Sequence, residues 1–501
     1  MIDTPSMGRK HPQPSLTRTL TALAGHARMR PDAAAILDNS ISISYQTLWQ
    51  DICRTISMLE PIVPEPEALA AVEWTSPYRH VVLLLALEHF GVVTATYRAQ
   101  EIGDEYQRLF SHSDLIAAAT IRPHRTCLTI LCDDLWWEKT LSKPVNTVAL
   151  RDSKPAKNHR IACSSGTTGA PKFMMRTSAQ SEFRFSQNQK RLVLTQNSRL
   201  VLPATFAFQA NYLSFISCMR VGGLCIFAGD APLFQTLKEQ SATHSIVIPM
   251  EFIALKSMDH RNALPPGLKI LIVGGSLTPA DRAAWREVCP TGTLIELYGT
   301  NESGTIAEIQ SDTRGKIIPE LEVQVVDDND IPLPYGKEGT IRLRGEPCAT
   351  HYLFEEHPRP ERFREGWFYP GDKAILEDAS HLQLLGRDDD LLNVRGYKIP
   401  AAAIEEIVKG FPEVIDCCAT TIQDPLDDGA IWLGVRFSPN ADFSDIQQKL
   451  KSHLPIKADI HLYTVDTIPR GPSGKIQRHT VATRLRHHIR SAAQKKTQSM
   501  I

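Results

Sequence analysis

The chain has 501 residues, of which 42% are hydrophobic and 22% charged, with a formal net charge of -1. That length holds about two to four domains with cores of their own, and the composition is that of an ordinary globular protein. The charge balance argues against a general nucleic-acid binder, which carries a basic excess. The amino terminus, MIDTPSMGRKHPQPSLTRTL, has no apolar core behind its basic residues and lacks the form of a signal peptide. The longest aliphatic run, Val81 to Leu87, falls far short of the roughly 20 residues that span a bilayer. The ten cysteines are scattered, only Cys417 and Cys418 are adjacent, and no CxxC pair occurs. Free thiols in a reducing cytoplasm are expected, without a zinc framework.

From the amino terminus the texture is mixed α/β. HVVLLLALEHFGVVTATY predicts a buried helix, a turn at Gly91 and a strand. IACSSGTTGAPKF, Ile161 to Phe173, holds too many glycines and hydroxyls to build a core. It fits either a plain surface turn or a loop whose backbone N–H groups form an anion nest. In the second case Ser164, Ser165, Thr167 and Thr168 add hydroxyl donors. Gly166 and Gly169 allow close backbone approach, and Lys172 adds a point charge. The loop is not a Walker A loop: the glycine-to-lysine spacing differs, and Phe173 stands where Ser or Thr would bind magnesium. THSIVIP and LKILIVGGS predict buried parallel strands ending at Pro or Gly. TPADRAAWREVC, with a Thr cap and Pro just inside, predicts a helix, so strand, Gly turn and helix form a βα unit.

In ELYGTNESG, Glu296 to Gly304, Tyr298 offers a π-face to a flat base and Glu302 a hard oxygen to magnesium. A packed strand end with a solvated glutamate fits the same residues. From about Gly336 the pattern changes. EGTIRLRG alternates like an antiparallel strand, and the stretch from Gly366 to Ile399 predicts hairpins with polar turns. Within it, Asp372 of WFYPGD can accept two hydrogen bonds from a ribose diol or simply close a turn. Arg387 of GRDDDLLNVRGYKI can grip a phosphate or ribose or stand in a polar hairpin. PAAAIEEIVKGFP predicts a helix, VIDCCATTI and AIWLGVRFS strands, SDIQQKLKSHL a helix and ADIHLYTV a strand, together a small α+β unit. A boundary near Gly386 to Asp390 fits. Lys475 of IPRGPSGKIQR sits on a Gly/Pro/Ser loop beyond the last strand, a place where a lysine is ordinarily solvated. The basic tail RLRHHIRSAAQKKTQSMI is expected to fray.

Taken in order, the Ser/Thr/Gly loop, VGGS, LYGTNE, YPGD, GRDDD…RGYKI and GPSGK closely resemble the adenylate-forming enzyme superfamily. That group contains acyl- and aryl-CoA synthetases, adenylation domains of peptide synthetases, and firefly luciferase. The resemblance extends from about Ala162 to Arg478. It implies an α/β fold: a large N-terminal domain, 1–386, of mixed and parallel sheets with helices, and a small mobile C-terminal α+β domain, 387–501. It also implies a reaction in which ATP and a carboxylic acid give an acyl-AMP and pyrophosphate, after which a thiol takes the acyl group.

By the same resemblance, Ser164 to Lys172 cradles the β- and γ-phosphates. Gly274, Gly275 and Ser276 line the adenine beside Tyr298 and Gly299, with Tyr298 stacking on it. Thr300 and Asn301 lie near the α-phosphate, Glu302 holds Mg2+, Asp372 binds the ribose hydroxyls and Arg387 assists. Lys475 reaches the α-phosphate and the attacking carboxylate. Asp389 matches the hinge position, and Gly396 and Lys398 approach the acceptor's phosphopantetheine. The implied cofactors are ATP and Mg2+, with CoA or a holo-carrier protein as thiol acceptor. No carrier-like serine motif follows Arg478, so a carrier is expected in trans.

Three departures from the family pattern stand out. Asn301 replaces a usual Thr and keeps a donor; Pro370 precedes Gly371 where Thr is common; and PKFMMRTSAQ lacks the usual Gly and a following His, so that Phe173 stiffens the turn. LPATFAFQANYLSF matches the segment lining the acyl pocket, with Phe206, Ala207, Phe208 and Asn211 as its residues. Relatives that activate amino acids carry Asp where Ala207 stands. A buried ammonium without a counter-charge is costly, so a non-amino, apolar or weakly polar acid is expected. Gln209 and Asn211 either read a polar tail or face away. Two rivals remain: a non-catalytic relative that only binds nucleotide, and a nucleotide-dependent dehydrogenase suggested by LIVGGS but lacking GxGxxG.

Overall fold

A computed structural model describes residues 15–99, 104–119, 127–145, 156–165, 171–202, 205–229, 231–251, 264–275, 277, 279–311, 313–355, 360–387, 391–394, 397–421, 430–438, 460–470, 476–478 and 480–486. The chain divides into two compact units. The first comprises Met1–Cys163, Phe173–Ser245 and Tyr352–Glu356; the second comprises Ser164–Lys172, Ile246–His351 and His357–Ile501. The architecture is α/β, as the sequence predicts.

The first unit is organised on parallel strands. Leu69–Glu73 pairs in parallel with Val93–Tyr97 on one side and Leu115–Ala118 on the other. The helix Pro77–His89 connects the first two. It starts with Pro at its first turn, where a missing N–H does no harm, and its VVLLLAL run is buried on all sides. Gly91, at φ +73°, makes the turn into Val93–Tyr97, whose five residues are all buried. Asn158–Ser165 continues this sheet beside Val93–Tyr97, and Pro171–Thr177 follows it at the edge. A second set of strands in the same unit runs Arg199–Leu202, Leu224–Phe227, Ala34–Asp38, parallel throughout, and closes with the antiparallel Ile41–Ser44.

Phe173 lies inside the strand Pro171–Thr177 and is buried. Its ring packs against Tyr106 and Phe354, with centroids 5.4 and 5.9 Å away, and its carbonyl accepts the Leu353 N–H at 2.7 Å. The large residue after Lys172 therefore anchors the strand in the core.

In the second unit, Lys269–Ile272 pairs in parallel with Thr293–Thr300, which turns back antiparallel into Gly304–Ser311. The antiparallel series continues through Arg314–Ile317, His381–Arg387, Asp372–Leu376 and Glu338–Arg344. Further along the chain, the hairpin of Leu391–Val394 and Tyr397–Pro400 precedes the helix Ala401–Lys409. A three-stranded sheet then follows: Val414–Thr420 antiparallel to Ile431–Phe437, itself parallel to Ile460–Thr464. Residues from Leu392 onward form two apolar clusters among themselves. One holds Leu392, Ile404, Val408, Cys417 and Leu433. The other holds Cys418, Trp432, Ile468, Val481 and Leu485. Successive strand residues point to opposite faces, so Cys417 and Cys418 each plug a different cluster. All ten cysteines are free thiols.

The predicted helix SDIQQKLKSHL, and the tail beyond Arg486, lie outside the described residues. No described helix is long and apolar enough to cross a membrane.

Candidate active site

The hairpin around Gly299 is closed by backbone proximity. A Cβ on Gly299 would stand 2.4 Å from the Gly304 carbonyl oxygen, so only glycine fits. Gly304 itself adopts φ +75°, in the left-handed region. Thr300 Oγ1 accepts the Ser303 N–H at 3.1 Å and lies 3.0 Å from the Ser303 hydroxyl. These short-range bonds tie the turn that carries Asn301 and Glu302. Glu302 is buried, and its backbone carbonyl accepts the Ala349 N–H at 2.8 Å. A carboxylate is thus held at the tip of a tight hairpin.

A side-chain hydrogen bond across the sheet brings a more distant strand's motif to this hairpin. Asp372 opens Asp372–Leu376 and lies opposite Arg387. The Tyr298 hydroxyl donates to Asp372 Oδ2 at 2.6 Å, across 74 residues of sequence. The bond fixes the edge of the Tyr298 ring, and the faces are the part a flat base would use.

The glycine turn after Lys269–Ile272 is pinned from the neighbouring strand. Glu296 accepts two bonds from Arg282, at 2.8 and 3.0 Å, and one from the Leu277 N–H at 3.3 Å. Arg282 belongs to the helix Pro279–Val288, so one carboxylate holds both the turn and the helix behind it. Gly274 adopts φ +82°. A Cβ on Gly275 would press to 3.2 Å from Pro249 Cγ. Beside Pro249, Glu251 accepts the Ile248 N–H at 3.0 Å, and burial pushes its carboxyl up to about 7. Sequence reasoning singled out Gly274, Gly275, Tyr298 and Asp372 but missed Glu296.

The strands Asn158–Ser165 and Pro171–Thr177 flank the Ser/Thr/Gly loop, and Lys172, at the start of the second, is buried. Gly166, Thr167, Thr168, Gly169, Ser276, Asp389, Gly396 and Lys475 lie outside the described residues. Of Ser164, Ser165, Arg387 and Lys398 the backbone alone is described.

The predicted acyl-pocket segment belongs to the first unit. Thr205 Oγ1 accepts the Ala207 N–H at 3.2 Å, and Phe208 caps the helix Gln209–Val221. Phe206 is fully buried among the rings of Trp74, Tyr212, Phe215 and Phe227, at centroid distances of 5.1, 5.6, 5.0 and 6.1 Å. Ala207 and Phe208 are half-buried. Asn211 is buried and donates weakly to the Thr205 carbonyl at 3.4 Å, while its Oδ1 has no partner among the described residues.

A buried polar network adjoins this segment, and nothing in the sequence signalled it. Arg160, 1% exposed, donates to Thr94 Oγ1 at 3.3 Å, Thr96 Oγ1 at 2.5 Å and the Phe206 carbonyl at 3.1 Å. Its guanidinium lies 4.1 Å from the centroid of the Tyr212 ring. The Tyr212 hydroxyl donates to Glu88 Oε1 at 2.9 Å and stands 3.1 Å from His159 Nε2.

Comparisons with known proteins bear on the family and the fold. A family model described as AMP-binding enzyme matches residues 23–353. Human mitochondrial acyl-coenzyme A synthetase ACSM5 is 26% identical over 345 residues, which cover 64% of this chain and 59% of the relative. The chain thus spans less than two thirds of that relative's length. A Streptomyces salicylyl-CoA synthase / salicylate adenylyltransferase is 26% identical over 404 residues, covering 76% of this chain and 71% of the relative. Among solved structures, anthranilate CoA ligase AuaEII in complex with anthranoyl-AMP superposes with TM-score 0.82 at 17% identity, covering 93% of this chain and 96% of that one. ATP-bound MatB from Rhodopseudomonas palustris superposes with TM-score 0.79 at 17% identity, covering 93% and 98%. Both share the fold.

Proposed function

The chain belongs to the AMP-binding enzyme family, and from that premise we propose that it is an ATP-dependent acid–thiol ligase working through an acyl-adenylate. The observation that carries the reading is the Tyr298–Asp372 bond, which joins two motifs far apart in sequence on one sheet. Glu302 sits a few residues from Tyr298 on the same hairpin.

The chemistry has one central difficulty. A carboxylate must attack the α-phosphorus of a polyanionic triphosphate, and like charges repel. Positioning and cations at the developing charge lower that barrier. In this reading the Ser164–Lys172 loop holds the departing pyrophosphate. Tyr298 and the Gly274–Ser276 turn bound the adenine. Asp372 accepts hydrogen bonds from the ribose, with Arg387 beside it. Thr300 and Asn301 stand near the α-phosphate. Lys475 neutralises charge between the acid and the α-phosphate.

The donor set fits magnesium. Among the described residues no cluster of three acidic, His or Cys side chains could hold a metal ion, but Glu302 is a buried carboxylate at a turn. Magnesium takes one or two protein carboxylates and completes its shell with phosphate oxygens and water. Bound there, it would neutralise phosphate oxygens; Glu302 would orient it.

The segment from residue 387 acts as a small mobile domain that carries Lys475 to and from the nucleotide, with Asp389 as hinge. Removal of the lysine turns the Gly396–Lys398 face toward the thiol. Its two internal clusters, built from Leu392 onward, give it apolar cores of its own within the second compact unit. The acid is non-amino and apolar or weakly polar, because Ala207 offers no carboxylate to an ammonium group. CoA and a carrier protein are the two candidate acceptors.

A panel of acids in a pyrophosphate-release assay, with and without CoA, tests the reading. It should contain medium-chain and aryl acids, since the relatives include enzymes named for medium-chain fatty acids and for salicylate. Acid-dependent release is expected, with thioester formation when CoA is the acceptor. Tight ATP binding with no turnover on any acid would instead support a non-catalytic nucleotide binder.

A further inference from the structure

We propose that Arg160 is a positioning residue for the acid side of this reaction, fixing the backbone at Phe206–Ala207 from the strand that leads into the phosphate loop. The inference rests on the acyl-adenylate reading above. Arg160 touches none of the reacting groups assigned there.

The geometry supplies a directed chain of hydrogen bonds. His80 Nδ1 lies 3.1 Å from the Glu73 carbonyl, which can only accept, so Nδ1 carries the proton. His80 Nε2, 3.0 Å from Thr96 Oγ1, must then accept from that hydroxyl. Thr96 Oγ1 in turn accepts from Arg160. Burial first, and the nearby guanidinium second, push His80 down to about 3, which keeps it neutral and the polarity of the chain fixed. On its other nitrogen Arg160 donates to Thr94 Oγ1, whose hydroxyl points to Glu88 Oε1 at 3.3 Å. The planar fork is thus held at two threonines of the strand Val93–Tyr97 and stacked on Tyr212. The same nitrogen that bonds Thr96 also donates to the Phe206 carbonyl.

Two features separate this arrangement from ordinary core filling. A buried guanidinium and a buried carboxylate are retained where apolar residues of similar volume would often serve stability as well. The guanidinium also holds a main-chain carbonyl at the start of the pocket segment. The next residue is Ala207, where related enzymes meet the acyl group. Four residues further along its own strand, Ser164 opens the phosphate loop. Displacement of Arg160 would move the Phe206–Ala207 peptide and leave the Tyr298–Asp372 pair, which lies in the other compact unit, to act on ATP as before.

The test uses the full chain and two variants, the double replacement Arg160→Met with Glu88→Gln, and Arg160→Lys alone. The first removes both charges together, and the second keeps the charge but loses the fork. Steady-state pyrophosphate release is measured against acid and against ATP, with urea unfolding to confirm the fold. The expected result is a KM for the acid raised about tenfold or more in both variants, since a fork is not replaced by a point charge. The KM for ATP should stay within about twofold, a factor below the roughly fivefold that a lost hydrogen bond brings. If the double variant does not fold, Arg160→Lys decides alone. A folded variant with an unchanged acid KM, or with both KM values raised equally, overturns the proposal. Wild-type protein with no acid-dependent release overturns the ligase reading and this one with it; an active wild type with an unshifted variant overturns only this one.

Discussion

At the Tyr298 hairpin, order comes from the backbone. Gly299 lets two strands close to a distance no side chain allows, Thr300 ties the turn to Ser303, and register sets Asp372 opposite Arg387. At Phe206 the order comes from side chains gathered across the first unit. His80, Glu88, Thr94, Thr96, Arg160 and Tyr212 converge there, and among the described residues the backbone group that Arg160 holds on that segment is the Phe206 carbonyl. A backbone-built site tolerates few residue types at its key positions, so it leaves a motif. A side-chain-built site can be assembled in many ways, so it leaves none. The first suits a ligand that never changes, which on the proposed function is ATP. The second suits a ligand that differs between relatives, which on the same proposal is the acid.

The largest effect expected from breaking the motif-built half comes from Lys475. Lys475→Ala should lower adenylate formation by about a hundredfold to a thousandfold, the scale seen when a charge-stabilising donor is lost in a desolvated site. Thioester formation from supplied acyl-AMP should persist, because the proposed motion withdraws the lysine for that step. Single-turnover assays of each half-reaction measure both. Survival of both half-reactions would remove the two-state picture of the 387–501 segment.

This contrast also governs what could be read from sequence. Helix Pro77–His89, the turn at Gly91 and strand Val93–Tyr97 follow directly from a long apolar run, a glycine and a β-branched run. The hairpin pairing of Asp372–Leu376 with His381–Arg387 was legible in the same way. Phe173 was not: its neighbours suggested a stiff turn, whereas Tyr106 and Phe354, distant in sequence, draw it into a strand. Arg160 was illegible for a related reason. A charged residue in an alternating strand ordinarily marks a solvent face. Here Tyr212 and Phe206 cover that face, and a helix packed from elsewhere cannot be inferred from NHRIACSS. Glu296 was overlooked because its partner, Arg282, lies on a surface-like helix position.

Glu296 offers the next smaller effect, and it crosses with the Arg160 test. The Arg282–Glu296 pair is largely buried, with side-chain exposures of 15% and 9%. Glu296→Ala leaves a guanidinium without its carboxylate and should lower stability by about 3 kcal/mol. Urea unfolding measures that loss. In the folded fraction the KM for ATP should rise while the KM for the acid stays unchanged, because the loosened turn is the one proposed to line the adenine. Opposite signatures from Glu296→Ala and Arg160→Lys would establish that the two halves act independently. A shared rise in both KM values would merge them.

The smallest effect isolates a single hydrogen bond. Tyr298→Phe keeps the ring and removes only the donor to Asp372 Oδ2. A carboxylate has about four lone-pair directions, so the tyrosine and a ribose hydroxyl can be served together and need not compete. Loss of the bond therefore costs orientation and frees nothing useful. A hydrogen bond to a charged group is worth about 1.5 kcal/mol or more, but in the proposed site the phenyl ring would still stack and the carboxylate would still accept from ribose. About a fivefold rise in the Kd for ATP is the expected net result, near 1 kcal/mol at RT of about 0.6. Isothermal titration with ATP measures it free of turnover. A tighter complex would mean that the Tyr298–Asp372 bond must break before ribose enters, making the pair a latch on the nucleotide site; unchanged affinity would mean that the ring alone, held by its strand, sets the adenine.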